Sequence, residues 1–371
     1  MQQTRANMIR RIGLFLIRHL DIFLLAVLCA TMLLGLFVLY SASAQNFDRV
    51  ISQFISMLVA LSLMWAVANL PPQHLMRFAW PTYVAGLLLL VGVALFGEVS
   101  HGARRWLHIG VTRIQPSELM KIAVPLMLAW YFEKRERSMK LSDFAVAAVL
   151  LLVPVALIAK QPDLGTALLI AASGFYVLFL AGIGWKMIIG LTAVAAALAP
   201  VAWSLLHDYQ QQRILTLLDP SQDPLGAGYH TIQSTIALGS GGLIGKGWLQ
   251  GTQAHLDFLP ERHTDFIFAV YGEEFGLFGI LVLLLLYLLI VARGLYIAAN
   301  APSMFGRLVA GSITLTFGTY AFVNMGMVSG ILPVVGVPLP LISFGGTSMV
   351  TLLLGFGVLM SVATHRRLVK Q

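Results

Sequence analysis

Charge is what this chain has least of. Of 371 residues only 11% are charged, where a soluble domain carries about 25%, and 58% are hydrophobic. Mean hydropathy is +0.84. That balance excludes a soluble globule and describes an all-α, polytopic integral membrane protein. Cysteine is nearly absent too. Cys29 is the only one and lies inside the first apolar run, so an intramolecular disulfide is excluded and the redox compartment is undetermined. Metal and nucleotide signatures are missing. His101, His108, His207, His230, His255 and His263 are scattered, and there is neither an HExxH pattern nor a Cys ligand set for zinc. With no Walker A loop and no dinucleotide fingerprint, a reaction here runs on an already activated substrate. No nucleic-acid partner is expected.

What the chain has in abundance is long apolar runs. A spanning helix needs about 20 mostly apolar residues. Ten stretches qualify: Ile22–Tyr40, Ile51–Leu70, Tyr83–Phe96, Glu118–Phe132, Phe144–Ala159, Leu164–Ile183, Met187–Leu206, Phe266–Ala292, Leu308–Met327 and Ser348–Thr364. Arg5, Arg10 and Arg11 before the first run imitate a signal peptide. That run exceeds a typical h-region of about 7–15 residues, so it reads as an uncleaved span. The larger set of Lys and Arg lies at both termini and in the KRERSMK connection from Lys134, which places both termini in the cytoplasm. One domain covers residues 1–371.

The opposite side receives the polar chemistry. Its connections include Gly97–Ser117, the Lys160–Gly165 turn, the long Asp208–Asp265 loop between spans seven and eight, and the Pro- and Gly-rich Gly330–Thr347. Inside the long loop, Gln211–Leu218 and Tyr229–Leu238 have helical spacing, whereas Gly239–Gly247 reads as a turn or flexible joint. The loop closes on LDFLPERHTDFIF, Leu256–Phe268, which puts Asp265 where a loop enters the membrane. A carboxylate held there is a functional-site candidate, although a helix N-cap would explain it too. Asp163 in QPDLG reads first as an N-cap. Glu118 and Lys121, three residues apart, read first as a local salt bridge. Glu273 and Glu274, inside the eighth span, should face a partner helix or a cavity. Arg104 and Arg105 beside Trp106 suit either lipid headgroups or a pyrophosphate, whose oxygens match the forked guanidinium.

Several segments together carry a resemblance. They are GARRWLHIG around Trp106, RIQPSELMKIA from Arg113, QPDLGTALL from Gln161, DPLGAGYHTIQSTIALGSGGLIGKGWLQGTQ from Asp223, LPERHTDFIFAV from Leu259, EEFG from Glu273, and NMGMVSGILPVVGVPLPLISFGGTS from Asn324. In this order they resemble the SEDS family of bacterial cell-wall polymerases, and its elongation branch in particular, over nearly the whole chain after Ile22. One departure is Phe344, where the family often has Tyr, so position 344 carries no polar role.

The resemblance implies ten spans and polymerisation of lipid II on the outer face of the cytoplasmic membrane. It implies work beside a class B penicillin-binding protein in an elongation complex with MreC/MreD-type partners. The family's essential aspartate falls on Asp265, its outer-loop tryptophan on Trp106, and its cavity residues on Glu118, Lys121 and Asp163. Sugar transfer from a pyrophosphate needs one base, here Asp265, and positive charge for the leaving group. Arg104, Arg105, Lys121, Arg213 and Arg262 are the candidates, or a divalent cation (Mg or Mn) on Glu118 or Asp163. The competing expectation is a transporter that flips lipid II.

Overall fold

The computed structural model describes residues 18–100, 103–109, 112–161, 163–206, 211–212, 215–217, 219, 227–255, 259 and 261–365. The helices are α1 (Ile22–Ala42), α2 (Phe47–Ala68), α3 (Pro72–Phe96), α4 (Pro116–Glu133), α5 (Leu141–Ala159), α6 (Leu164–Leu180), α7 (Trp185–Leu205), α8 (Ala227–Ser240), α9 (Thr252–His255), α10 (Ile267–Ala299), α11 (Met304–Val328) and α12 (Gly346–Thr364). In lipid the backbone must satisfy its own hydrogen bonds, and a helix does so within one segment.

Each expected span falls on a helix. Seven are long and apolar enough to cross a bilayer, and α6 and the Trp185–Val201 part of α7 are shorter apolar helices. The tenth, α4, carries Glu118, Lys121 and Glu133 and is the central post, buried along most of its length between α3, α5, α6, α11 and α12. The third span is longer than its apolar core. α3 begins at Pro72, where a proline suits the first helical turn, and takes in Gln73, His74 and Arg77 before the apolar run.

Two local features depart from the expected pattern. The connection after α3 is not helical. Strands β1 (Glu98–Ser100), β2 (Ala103–Ile109) and β3 (Thr112–Ile114) form an antiparallel sheet in the order β1-β2-β3, with Trp106 opposite Glu98 and Leu107 opposite Ile114. The eighth span is broken. Gly276 in α10 has φ 64° and ψ −161°, which separates Glu273 and Glu274 from their normal partners at Leu277 and Phe278. The glycine-rich segment after α8 repairs the gap. Lys246 and Gly247 donate to the carbonyls of Glu273 and Glu274 at 3.0 Å each. Leu277 and Phe278 donate to Gly242 and Leu243 at 2.9 and 3.1 Å. Of the expected turn or flexible joint at Gly239–Gly247, residues 241–244 are a turn, and its backbone is spliced into the break in α10.

The Glu273 and Glu274 side chains face residues from Lys246 to Gln253 and the helix α1. Lys246 Nζ lies 2.6 Å from Glu273 Oε1. The Leu249 amide donates to Glu274 at 3.2 Å, and the Ser41 hydroxyl of α1 donates to it as well.

The end of the bundle away from the sheet is tied by ion pairs: Arg293 with Asp21 at 2.6 Å, Arg135 with Asp143 at 2.8 Å, and Arg307 with Glu136 at 3.3 Å. The sheet, the Asp163 turn, the start of α10 and the 329–345 connection occupy the other end.

Candidate active site

Residues 261–266 form a tight turn that delivers the chain into α10. Glu261 sits at φ 48° and accepts from the amides of Thr264 (3.1 Å) and Phe266 (3.3 Å). Its carboxylate also takes the Thr264 hydroxyl at 2.9 Å. The N-cap of α10 is Phe266, which makes no side-chain capping bond. Asp265 stands directly before it, with its side chain half-buried.

The turn is gripped from behind by residues far away in sequence. Asn324 of α11, fully buried, donates both amide hydrogens from one nitrogen: to the Asp265 carbonyl at 2.8 Å and to the Val337 carbonyl at 2.6 Å. The Ser343 hydroxyl donates to Thr264 O at 2.6 Å and accepts from the Leu339 amide at 2.7 Å. The Phe344 amide donates to His263 O at 2.9 Å. Gln53 of α2 then brackets the end of that connection, donating to Ser343 O at 3.2 Å and accepting from Gly345 N at 3.2 Å. Gly336, at φ 72°, lies under the carboxylate: a Cβ there would stand 3.4 Å from Asp265 Oδ2.

The other face of the same connection lines a cavity. Pro338 to Leu341 and Ser343 meet Glu118, Lys121, Thr316, Phe317 and Tyr320 around about 60 Å³, room for a few ordered waters. Lys121 Nζ lies 2.6 Å from Glu118 Oε1 and 5.0 Å from the Tyr320 ring centre. The expected salt bridge exists, but it is the charged lining of a cavity and not a solvated pair. Glu118 Oε2 and Thr316 Oγ1 have no hydrogen-bond partner among the described residues. A buried polar atom left so costs about 1–3 kcal/mol, which suits a cavity that receives a polar guest. Asp163 is the N-cap of α6, accepting from Thr166 N at 3.3 Å, and it also lies in the electrostatic neighbourhood of Tyr320.

The remaining candidates spread out. Trp106 is half-buried on β2. Arg104 and Arg105 are on the same strand, Arg104 opposite Val99. Arg262 stands in the Asp265 turn. Arg213 lies outside the described residues. His263 is pushed below its ordinary value of 6.5 by burial and then by Arg49, with Glu261 opposing. Among the described residues no three His, Cys, Asp or Glu gather to hold a metal ion. Glu118 holds an ammonium at 2.6 Å through Oε1, and Asp163 takes a helix amide at 3.3 Å.

Sequence reading missed Gln53, Thr316, Tyr320, Asn324 and Ser343. Asn324 and Ser343 lay within a quoted motif. For Gln53 the only signal was an amide inside an apolar span.

Two apolar grooves flank this centre and share no lining residue. One, of about 490 Å³, runs between α2, α4 and α12 and reaches Glu118. The other, of about 580 Å³, runs between α6, α10 and α11 and reaches Gly165 and Val335.

The cell cycle protein model that covers FtsW, RodA and SpoVE matches residues 21–368. The chain belongs to the SEDS family. This SEDS protein is 51% identical to the peptidoglycan glycosyltransferase MrdB of Escherichia coli K12 over 354 residues, 95% of this chain and 96% of that one. It is 36% identical to a probable peptidoglycan glycosyltransferase FtsW of Geobacter metallireducens, over 97% of this chain and 99% of that one. Among solved structures it superposes on a chain from a study of how a peptidoglycan synthase complex coordinates polymerization and crosslinking, at TM-score 0.81 and 34% identity, covering 93% and 97%. It also superposes on the rod shape determining protein RodA of Thermus thermophilus, at TM-score 0.71 and 32% identity, covering 94% and 98%.

Proposed function

We propose that this SEDS protein is a peptidoglycan glycosyltransferase that polymerises lipid II at the outer face of the cytoplasmic membrane, with Asp265 as general base. One observation carries the assignment of the base. Asp265 sits at the entry to α10, its carboxylate against Gly336, on a turn held by hydrogen bonds from α11 and from the connection that lines the Lys121 cavity. Such a carboxylate can accept the proton of an acceptor sugar hydroxyl as that oxygen attacks the anomeric carbon of the donor. The bond to the pyrophosphate breaks in the same displacement, and the pyrophosphate departs as an anion. A positioned base of this kind contributes about 10²–10⁴-fold.

Lys121 is the buried cation nearest the polar cluster and stabilises the leaving charge. Arg104, Arg105 and Arg262 meet the headgroups at the same end, and Trp106 lines the approach. Donor and acceptor each carry a polyprenyl chain, and the two separate apolar grooves suit two such chains. Both termini are cytoplasmic in this reading. A class B penicillin-binding protein crosslinks the product, within an elongation assembly that includes MreC/MreD-type partners.

The test is polymerisation of labelled lipid II by the purified protein with its transpeptidase partner. Asp265→Asn should reduce polymer at least 100-fold, at the lower end of a base's contribution, with insertion and partner binding intact. A wild-type rate from that variant overturns the general base. No polymer from the wild type, with lipid II crossing protein-loaded liposomes, assigns the chain as a flippase instead.

A further inference from the structure

Asn324 has an arrangement that packing alone does not require. It is fully buried in α11, and its single nitrogen donates to two carbonyls from separate segments, Asp265 O and Val337 O, at 2.8 and 2.6 Å. The amide orientation follows from these partners, since a flipped side chain would set its oxygen against two acceptors. In this orientation Asn324 Oδ1 is buried with no partner among the described residues. A hydroxyl could supply one of the two bonds but not both. The residue keeps an unfavourable acceptor in order to place two donors at one point.

That point joins the two pieces that frame the Asp265 carboxylate. One is the turn that bears it. The other is residues 335–339, where Gly336 lies against Oδ2 and Val335 O packs against Gly165, two residues after Asp163. Ser343 repeats the grip one residue earlier, through Thr264 O and Leu339 N. We infer that Asn324 is a positioning residue for Asp265: it fixes the carboxylate relative to the 335–343 connection and, through that connection, to the Lys121 cavity. This rests on the reading of Asp265 as the base. Displacement of a reacting group by about 1 Å can cost 100-fold in rate, and removal of the amide frees both carbonyls it holds.

The experiment uses the full chain with its transpeptidase partner and lipid II as the probe. For Asn324→Ala, lipid II binding stoichiometry and Kd are measured beside kcat for polymerisation. The expected result is unchanged stoichiometry, Kd within twofold of wild type, and kcat lowered at least tenfold. A purely structural role lowers stoichiometry in proportion to rate, and that result overturns the inference, as does a wild-type kcat. If Asn324→Ala does not fold, Ser343→Ala is put through the same measurements with the same expectations. Asp265→Asn is run in parallel. If it is inactive while Asn324→Ala is fully active, only the positioning role fails; if it is fully active, the base assignment itself fails.

Discussion

Lys121 and Glu118 have side chains only 13% and 11% exposed, in a cavity whose lining includes Phe317, Leu339 and Met349. Breaking a buried pair by removing one partner costs about 3–5 kcal/mol, because the other charge is left uncompensated. Lys121→Met should therefore lower both thermal stability and polymerisation. Adding Glu118→Gln should restore most of the melting temperature. If Lys121 serves the leaving group, the double variant stays inactive although it is stable. Recovery of activity along with stability would reduce the pair to a structural contact. His263 gives a pH effect at the same scale. Burial and the nearby Arg49 hold its pKa below 6.5, so the folded protein resists the proton that the unfolded chain accepts. Its contribution to stability is complete above 6.5 and is lost as pH falls through the lower folded value. The melting temperature should drop between pH 7 and pH 5, and His263→Gln should flatten part of that slope.

At the scale of elements, α10 is the informative case. Its apolar run announces a span, but the break at Gly276 can be understood only together with Gly241–Gly247. Two helix hydrogen bonds are lost at the break and four are made with the inserted segment. The approach is too close for side chains. A Cβ on Gly245 would lie 2.1 Å from Glu274 O, and one on Gly276 would lie 2.4 Å from Gly245 N. Gly276 also needs a φ that other residues rarely adopt. Gly276→Ala should displace the segment and lower the melting temperature by several degrees. Gly239→Ala, with open space around its Cβ, should be neutral. Equal effects at both positions would show that the splice does not hold the loop. The β1–β3 sheet was equally hidden. GARRWLHIG has no clean alternation of apolar and polar residues, and its pairing partners include Val99 and Ile114, outside the motif.

At the scale of the whole molecule, one span stands apart. Among the described residues of α7 none is buried, and Ile189, Leu191, Val194, Leu198 and Val201 are each more than half exposed. By contrast Leu353 and Phe356 of α12 are at most 1% exposed, in the core shared with α1, α2 and α10. Leu353→Ala or Phe356→Ala should destabilise by about 2–5 kcal/mol. Leu191→Ala with Val194→Ala should leave the melting temperature in detergent unchanged. A large loss from the α7 pair would mean that α7 packs on the bundle in solution.

The sequence by itself determined the ten apolar stretches that fall on helices, the connections in which polar residues gather, and Asp265 as a carboxylate at the start of an apolar run. These are one-dimensional properties: the length of an apolar run, and the cost of charge beside it. Only the tertiary structure decided that Asp163 caps α6 and which residues hold the Asp265 turn. Asn324 reaches Asp265 across 59 positions, and Gln53 reaches Ser343 across 290. Polarity did not reveal these partners, because in a membrane protein the lipid-facing and core-facing sides of a helix are both apolar. The periodicity that exposes the buried face of a soluble helix is lost, and packing alone brings the buried amides to the carbonyls they serve.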